Sequence, residues 1–293
     1  TMTILSDRVG KVKPSATLAV TAKANELKAQ GIQIVPMGSG EPDFDTPVNI
    51  QQAGIDAIKN GQTRYTAVDG TPDLKNAIID KFKRENNLDY SATEVMVSSG
   101  GKQVFYNLCQ AVLNKGDEVI IPAPYWVSYP DMVILGEATP VIVETGLEQD
   151  FKITPDQLEA NINANTKLFV MNSPSNPTGA VYTKDELKAL ANVLTNHPHV
   201  LIITDDIYEH IRWGEDDFIN IVMADTSLKD RTIILNGVSK GYAMTGWRIG
   251  YGAGPEAIIK AMKKIQGQST SNPCSVAQAA ALEALNGDQS IIG

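Results

Sequence analysis

Cysteine is scarce in this chain: Cys109 and Cys274 are the only two in 293 residues. Neither lies in a C-x-x-C or other metal-ligand spacing, which argues against a disulfide framework and a zinc ribbon. Cys109 falls on the apolar side of an expected helix and reads as a core thiol, so a reducing compartment is expected. Long apolar runs are absent too. No stretch approaches the length of a membrane span, and the opening Thr1-Met-Thr-Ile-Leu-Ser-Asp-Arg8 lacks the apolar centre of a secretory leader. A cytoplasmic protein with no membrane partner is the expectation. Positive charge is in deficit, with 25 Lys and Arg against 34 Asp and Glu and a net charge of −9. That balance opposes a non-specific nucleic-acid surface. What is present is ordinary for a globular protein, 43% hydrophobic and 20% charged. The length allows a sizeable core and more than one structural unit.

Short apolar runs alternate with helix-length amphipathic segments, which predicts an α/β fold with a mostly parallel sheet of about seven strands flanked by helices. Strands are expected at Glu94–Ser98, Glu118–Pro122, Pro140–Glu144, Leu168–Asn172, Val200–Thr204, Thr232–Asn236 and Trp247–Gly250. Helices are expected at Val48–Asn60, Pro72–Glu85, Lys102–Leu113, Tyr125–Leu135, Pro155–Asn161, Lys184–Leu194, Pro255–Gln266 and Ser275–Leu285. Thr154-Pro-Asp-Gln157 and Thr183-Lys-Asp-Glu186 both fit the capping box. The turn-rich Met37–Pro47 reads as the passage from an amino-terminal arm and helix into the main domain.

The chemistry concentrates in Asn236-Gly-Val-Ser-Lys-Gly-Tyr-Ala-Met-Thr-Gly-Trp-Arg-Ile-Gly-Tyr251, which follows the apolar run Thr232–Leu235. Lys240 is thus an amine at the end of an expected buried strand, with Arg248 eight residues on. An amine shielded from water loses its proton more easily, and a neutral amine can form a Schiff base with an aldehyde. A guanidinium can hold a phosphate through two hydrogen bonds. A lysine with a phosphate clamp is what a pyridoxal-phosphate site needs. The other reading of an isolated lysine in a loop is a solvated side chain.

The ends of the other strands add candidates, since ligands of open parallel sheets bind outside the carboxyl ends of the strands. Ser98-Ser-Gly-Gly-Lys-Gln103 opens a helix, and backbone amides of small residues there make an anion site. It also reads as a plain strand–turn–helix joint, and it lacks P-loop spacing. Pro122-Ala-Pro-Tyr-Trp-Val-Ser-Tyr129 offers Trp126, able to stack on a planar ring or simply to pack. Asn172-Ser-Pro-Ser-Asn-Pro-Thr-Gly179 holds Asn176 extended before a proline. Thr204-Asp-Asp-Ile-Tyr-Glu-His210 supplies a carboxylate that could pair with a pyridine nitrogen. It has a rival reading, in which Asp205, Asp206, Glu209 and His210 ligate a divalent metal. Gly252-Ala-Gly-Pro-Glu-Ala257 fits G-x-G-x-x-[GA] after a strand, but the acidic residue expected about twenty positions later is missing, so nucleotide binding is set aside.

From Pro14 onward the sequence resembles the class I and II aminotransferases, whose active-site pattern is Ser-Lys-x-x-x-Met-x-Gly-x-Arg-x-Gly. The resemblance is nearest to the aspartate-type members that carry Gly-Gly-Lys-Gln. It implies a fold-type-I large domain over residues 48–293, with 1–47 as an amino-terminal arm and part of a small domain. It implies that Lys240 carries pyridoxal 5'-phosphate as a Schiff base and shuttles the proton. Ser239 and Arg248 would lie at the phosphate, with Gly100, Gly101 and Lys102 beside it. Trp126 would stack on the ring, Asn176 and Tyr208 would contact its 3-hydroxyl, and Asp205 would pair with its nitrogen. Gly40, Asn176 and Trp126 would meet the substrate. Tyr65, in Thr63-Arg-Tyr-Thr66, would reach the cofactor phosphate of a neighbouring subunit, which implies a homodimer with shared sites.

The implied reaction moves an amino group between an amino acid and a 2-oxo acid. Lys102, with Ser15 and Thr17 from Pro14-Ser-Ala-Thr17, would favour aspartate or glutamate as substrate. Elimination or decarboxylation on the same cofactor, or binding without catalysis, are the other functions such a scaffold permits. Family chains continue into a small-domain segment carrying a second arginine. That segment is not found before Gly293, so the expectation is a chain that binds cofactor and turns over poorly.

Overall fold

A computed structural model describes residues 4–35, 37–214 and 216–293. Thr1–Thr3, part of the segment read above for a leader, lie outside the described residues. In chain order the helices and strands are α1 (Asp7–Lys11), α2 (Ala16–Ala29), α3 (Val48–Lys59), α4 (Pro72–Asn86), β1 (Val95–Ser98), α5 (Gly101–Val112), β2 (Glu118–Ala123), α6 (Ser128–Leu135), β3 (Thr139–Glu144), α7 (Pro155–Asn161), β4 (Thr166–Asn172), α8 (Lys184–Thr195), β5 (Leu201–Asp205), α9 (Ile221–Ala224), β6 (Thr232–Gly237), β7 (Gly250–Ala253), α10 (Glu256–Gly267) and α11 (Ser275–Asn286). The seven strands form one sheet in the order β1-β7-β6-β5-β4-β2-β3. The pairs β3–β2, β2–β4, β4–β5 and β5–β6 are parallel, while β7 runs antiparallel to both β6 and β1. The α/β expectation holds. None of the described helices is long and apolar enough to cross a membrane.

The strands alternate between two cores, because successive strand side chains face opposite sides. Phe169, Met171, Ile202 and Ile234 enter one core with residues of α4, α8 and α11. Leu168, Val170, Ile203, Ile233 and Leu235 enter the other, with residues of α5, α6 and α10. A central strand buried on both faces reads as a continuous apolar run, which is why β4, β5 and β6 were visible in the sequence. Both expected capping boxes form. Thr154 Oγ1 accepts from Gln157 N at 3.2 Å, and Thr183 Oγ1 accepts from Glu186 N at 3.2 Å, each with the reciprocal side-chain bond.

Two expectations need correction. The last strand is Gly250–Ala253, not Trp247–Gly250: Thr245–Trp247 is a 3-10 turn, and Arg248 takes a left-handed conformation at φ 58°. Trp247 and Ile249 gave the earlier window its strand-like composition. The true strand is glycine-rich because a helix lies on it. A Cβ at Gly250 would collide with the Gly100–Gly101 backbone, and one at Gly252 would come 3.0 Å from Val104 Cγ1. Gly250 and Gly252 are therefore packing residues that let the start of α5 settle on the sheet. The sixth helix begins at Ser128 rather than Tyr125, which leaves Tyr125 and Trp126 on a turn at the end of β2.

Helices α1 and α2 bury no residue, and Leu18, Val20, Ile32, Val35 and Met37 on and after α2 are exposed. By contrast, the loop before α4 is tightly held. Gln266, fully buried, donates to Val68 O at 2.7 Å and Val97 O at 2.8 Å, and accepts from Ser98 Oγ at 2.6 Å and Asn107 Nδ2 at 2.9 Å. Replacing Gln266 with Leu strips three buried polar groups and one half-buried carbonyl of their partner at once. Unmade buried hydrogen bonds cost about 1–3 kcal/mol each. Urea unfolding should show Gln266→Leu destabilised by at least about 2 kcal/mol; a smaller loss would mean that these groups find other partners.

Candidate functional site

Lys240 lies three residues beyond the end of β6, half-buried, in the turn closed by Met244 N donating to Ser239 O at 3.0 Å. Its Nζ donates to the carbonyl of Gly40 and stands 5.5 Å from the centre of the Tyr208 ring. Burial lowers the pKa of this amine. Glu41 and Asp205 push it back up, and Arg248 pushes it down. Lys240 thus sits among two acids and a guanidinium, in surroundings that favour the neutral amine more than water does.

Asp205 ends β5 on the α5–α6 face, the face that Ile203 enters. It is 4% exposed, and its carboxylate accepts from Tyr129 Oη at 2.6 Å and from Ile207 N at 3.2 Å. Burial raises its pKa to about 6, although Tyr129, Ile207 N and Lys240 all pull it down. Asp206 points the opposite way, accepting from Thr204 Oγ1 and Asn220 Nδ2, both at 2.7 Å. Strand alternation separates the two acids, and it also dissolves the rival metal reading of this loop. Glu209 and His210 gather with Glu85 of α4, not with Asp205.

Burial followed by the Asp205 charge raises the Tyr208 pKa, and the nearby Asn176 side chain pulls it down. Asn176 is held in turn by Asn172, whose Oδ1 accepts from Asn176 N at 2.7 Å and whose Nδ2 donates to Asp205 O at 2.9 Å. Trp126 is half-buried and meets Tyr129 edge-on, with centroids 5.2 Å apart. The ammonium of Lys102, in the first turn of α5, lies 5.2 Å from the Trp126 ring centre. Burial and the Arg248 charge lower its pKa. Gly100 caps α5 with φ 87°, and a Cβ there would collide with the Arg248 guanidinium, so only glycine lets arginine and helix start approach this closely. The resulting corner has two cations, Lys102 and Arg248, and the free amides of a helix N-terminus, the chemistry of an anion site. Ser239 is buried against the same turn.

The segment 40–47 is strapped across the Lys240 turn. Thr245 Oγ1 donates to Glu41, Thr46 Oγ1 donates to Ala243 O at 2.5 Å, and Trp247 Nε1 donates to Thr46 Oγ1 at 3.0 Å. A cleft of about 680 Å³ opens beside the strap, lined by Glu41, Thr46, Ser99, Thr245, Trp247 and Arg248 among others. It adjoins Arg248, while Lys240 stands outside its lining. Three expected residues lie apart from this cluster. Ser15 Oγ caps α2 by accepting from Leu18 N at 3.4 Å, and Thr17 O accepts from Thr21 Oγ1 within the same helix. Tyr65 is 92% exposed. Sequence reasoning passed over Tyr129, Asn172, Glu41 and Thr46. Only Tyr129 carried a signal: it stands three residues after Trp126 in the same aromatic segment.

The family profile "Aminotransferase class I and II" matches residues 32–292. The chain is 63% identical over 286 residues to an aspartate/prephenate aminotransferase of Nitrosomonas europaea, covering 98% of this chain and 72% of that one. It is 59% identical over 291 residues to an aspartate/prephenate aminotransferase of Cereibacter sphaeroides, covering 99% and 73%. Among solved structures, the aspartate aminotransferase of Rhizobium meliloti superposes with a TM-score of 0.95 at 46% identity, covering 99% of this chain and 73% of that one. That of Thermus thermophilus, solved with maleate, gives 0.93 at 46% identity, covering 97% and 73%.

The burial of Asp205 has a measurable consequence. Its folded pKa, about 6, lies above the unfolded value of about 3.9. Between those values the folded state holds the proton more tightly, so stability falls as pH rises from about 4 to about 6 and is level outside that window. Compared with Asp205→Asn, the cofactor-free wild type should lose about 2–3 kcal/mol across this range in urea unfolding. Tyr129→Phe removes a donor to the carboxylate and should extend the loss to higher pH. A wild-type-to-Asn difference that stays constant from pH 4 to 7 would show that Asp205 does not titrate there.

Proposed function

The chain belongs to the class I and II aminotransferase family, and from that premise we propose that Lys240 is the lysine that binds the aldehyde of pyridoxal phosphate. Members of this family are pyridoxal-phosphate-dependent aminotransferases. The observation that carries the assignment is the convergence on one half-buried amine of the three groups such a site requires. These are a buried carboxylate at Asp205, an anion corner at Gly100, Lys102 and Arg248, and a phenol–amide pair at Tyr208 and Asn176.

The residues fit the cofactor. The glycine corner that a Cβ would fill would receive the phosphate, held by Gly100, Gly101, Ser239 and Arg248. Trp126 would pack on the ring, Asp205, with Tyr129 bonded to one of its oxygens, would supply the carboxylate for the ring nitrogen, and Asn176 and Tyr208 would supply polar groups for the ring oxygen. When bound, the cofactor supplies an electron sink for the bond breaking at the substrate Cα. With a substrate amine in its place, Lys240 would be a free amine, able to take the Cα proton on Nζ as general base and to give it back as general acid. Its lowered pKa makes the neutral, proton-accepting amine more available than it would be in water. The strap at Gly40 and Glu41 closes the solvent side.

The substrate reading is aspartate as amino donor, with prephenate as a 2-oxo-acid partner, following the names of the relatives. Both molecules carry a second carboxylate, as does the maleate named with the Thermus thermophilus structure. On this reading Lys102 is the cation that meets it, and Ser15 and Thr17, which lie apart on the arm here, would close over it when substrate binds. Tyr65, projecting into solvent from a firmly held loop, is suited to reach a second copy of the chain and make the sites shared. On the same reading, residues 1–47 form the arm and a small-domain part, and 48–293 the cofactor domain.

Two outcomes test this. Borohydride reduction of the cofactor-loaded protein, followed by peptide mapping, should place the pyridoxyl group on Lys240; label on another lysine overturns the assignment. Lys102→Ser should lower kcat/KM for aspartate by about tenfold to a hundredfold. A charge-assisted hydrogen bond is worth about 1.5–3 kcal/mol, and 1.36 kcal/mol is about one decade. Monocarboxylic substrates should change little. A uniform loss across substrates would make Lys102 a phosphate-site or structural residue instead.

A further inference from the structure

Beneath the loops that carry Tyr208 and Lys240, on the opposite face of the sheet, lies a polar cluster that the reading above does not use. Lys81 of α4 is fully buried, and its Nζ donates to Glu209 Oε1 and to Asn86 Oδ1, the latter at 2.9 Å, with Glu85 Oε2 at 3.5 Å. The same Glu209 oxygen accepts from Asn236 Nδ2 at 2.8 Å. His210 Nε2 lies 2.9 Å from Glu85 Oε2, and the His210 ring sits against Gly241, where a Cβ would come within 2.8 Å of Nδ1. Glu85, Glu209 and His210 are close enough together to resemble a cation site, but the Lys81 ammonium already provides the positive charge there.

A buried ion pair contributes little net stability compared with neutral groups of the same shape, because desolvation offsets the attraction. What such a pair does fix is geometry. Glu209 directly follows Tyr208, and Asn236 stands four residues before Lys240. The Glu209 carboxylate therefore ties both site loops to one point on α4. We propose that Lys81 and Glu209 are positioning residues, which hold the Tyr208 and Lys240 loops in register from behind the sheet. The proposal rests on Lys240 being the cofactor lysine.

The test compares wild type with Glu209→Gln and with the pair Lys81→Met and Glu209→Gln, each first checked for a thermal midpoint near that of wild type. Glu209→Gln keeps an acceptor for Asn236 but leaves the buried Lys81 without its counter-charge, so it should label Lys240 with pyridoxal phosphate and borohydride more slowly than wild type, by less than the double variant. The double variant loses the link to α4 and should label at least about tenfold more slowly, because misplacing a reacting group is costly. Since the defect is one of position rather than charge, the pH midpoint of labelling should not move. Amide exchange should rise in residues 206–211 and 236–243 of the double variant and stay unchanged in β2 and β4. A folded double variant that labels as fast as wild type overturns the proposal. So does exchange that rises equally across the sheet. If wild type itself fails to label at Lys240, the cofactor-lysine reading falls, and the exchange pattern alone still decides whether the pair holds these loops.

Discussion

Alternation of side chains along a strand is the constraint on which this site rests. β5 and β6 are central strands with both faces covered, so each residue at their carboxyl ends must commit to one face. Asp205 goes to the face of Trp126 and Tyr129, and Asp206 and Asn236 go to the face of α4. One face becomes the chemical surface and the other its foundation. Because β2, β4, β5 and β6 are parallel, their following turns leave from one edge, and all the candidate groups after them arrive together.

Close approach is the second requirement, and glycine supplies it. Gly250 and Gly252 remove side chains from the strand face on which α5 lies, and Gly100 removes one where Arg248 crosses the helix start. The two effects are coupled through β7. A side chain at Gly250 would lift the Gly100–Gly101 turn, and the anion corner would lose its shape. The antiparallel β7 is thus part of the site's geometry, though it contributes no chemical group to it.

The sequence made most of this visible where local physics decides the outcome. Apolar runs marked β4, β5 and β6, and Thr154 and Thr183 marked two helix starts, because the hydrogen bonds involved are local. The strand at Gly250–Ala253 was misplaced because glycine has low strand propensity, and only the helix packed on it explains its composition. Lys240, Arg248, Gly100 and Asp205 were legible from the order of strand ends and from the family pattern. Tyr129, Asn172 and Thr46 were not, since each acts by touching a group from 33 to 197 positions away. Lys81 was still less legible: a lysine on an amphipathic helix reads as a solvated one, and its burial depends on Glu209, far off in sequence.

Charge distribution explains why a chain of net charge −9 can present a site for anions. Glu41 stays beside Lys240 at the cleft, but two other nearby acids are withdrawn. Asp205 is sunk beneath Tyr129, and Glu209 is neutralised from behind by Lys81. No ion pair among the described residues involves Lys102, Lys240 or Arg248. These cations instead act on one another, and Arg248 lowers the pKa of both lysines. Like charges held together in a partly desolvated corner are costly, and an anion that binds there relieves the repulsion in the folded state alone. The repulsion that destabilises the corner is therefore the same interaction that would favour an anion binding there.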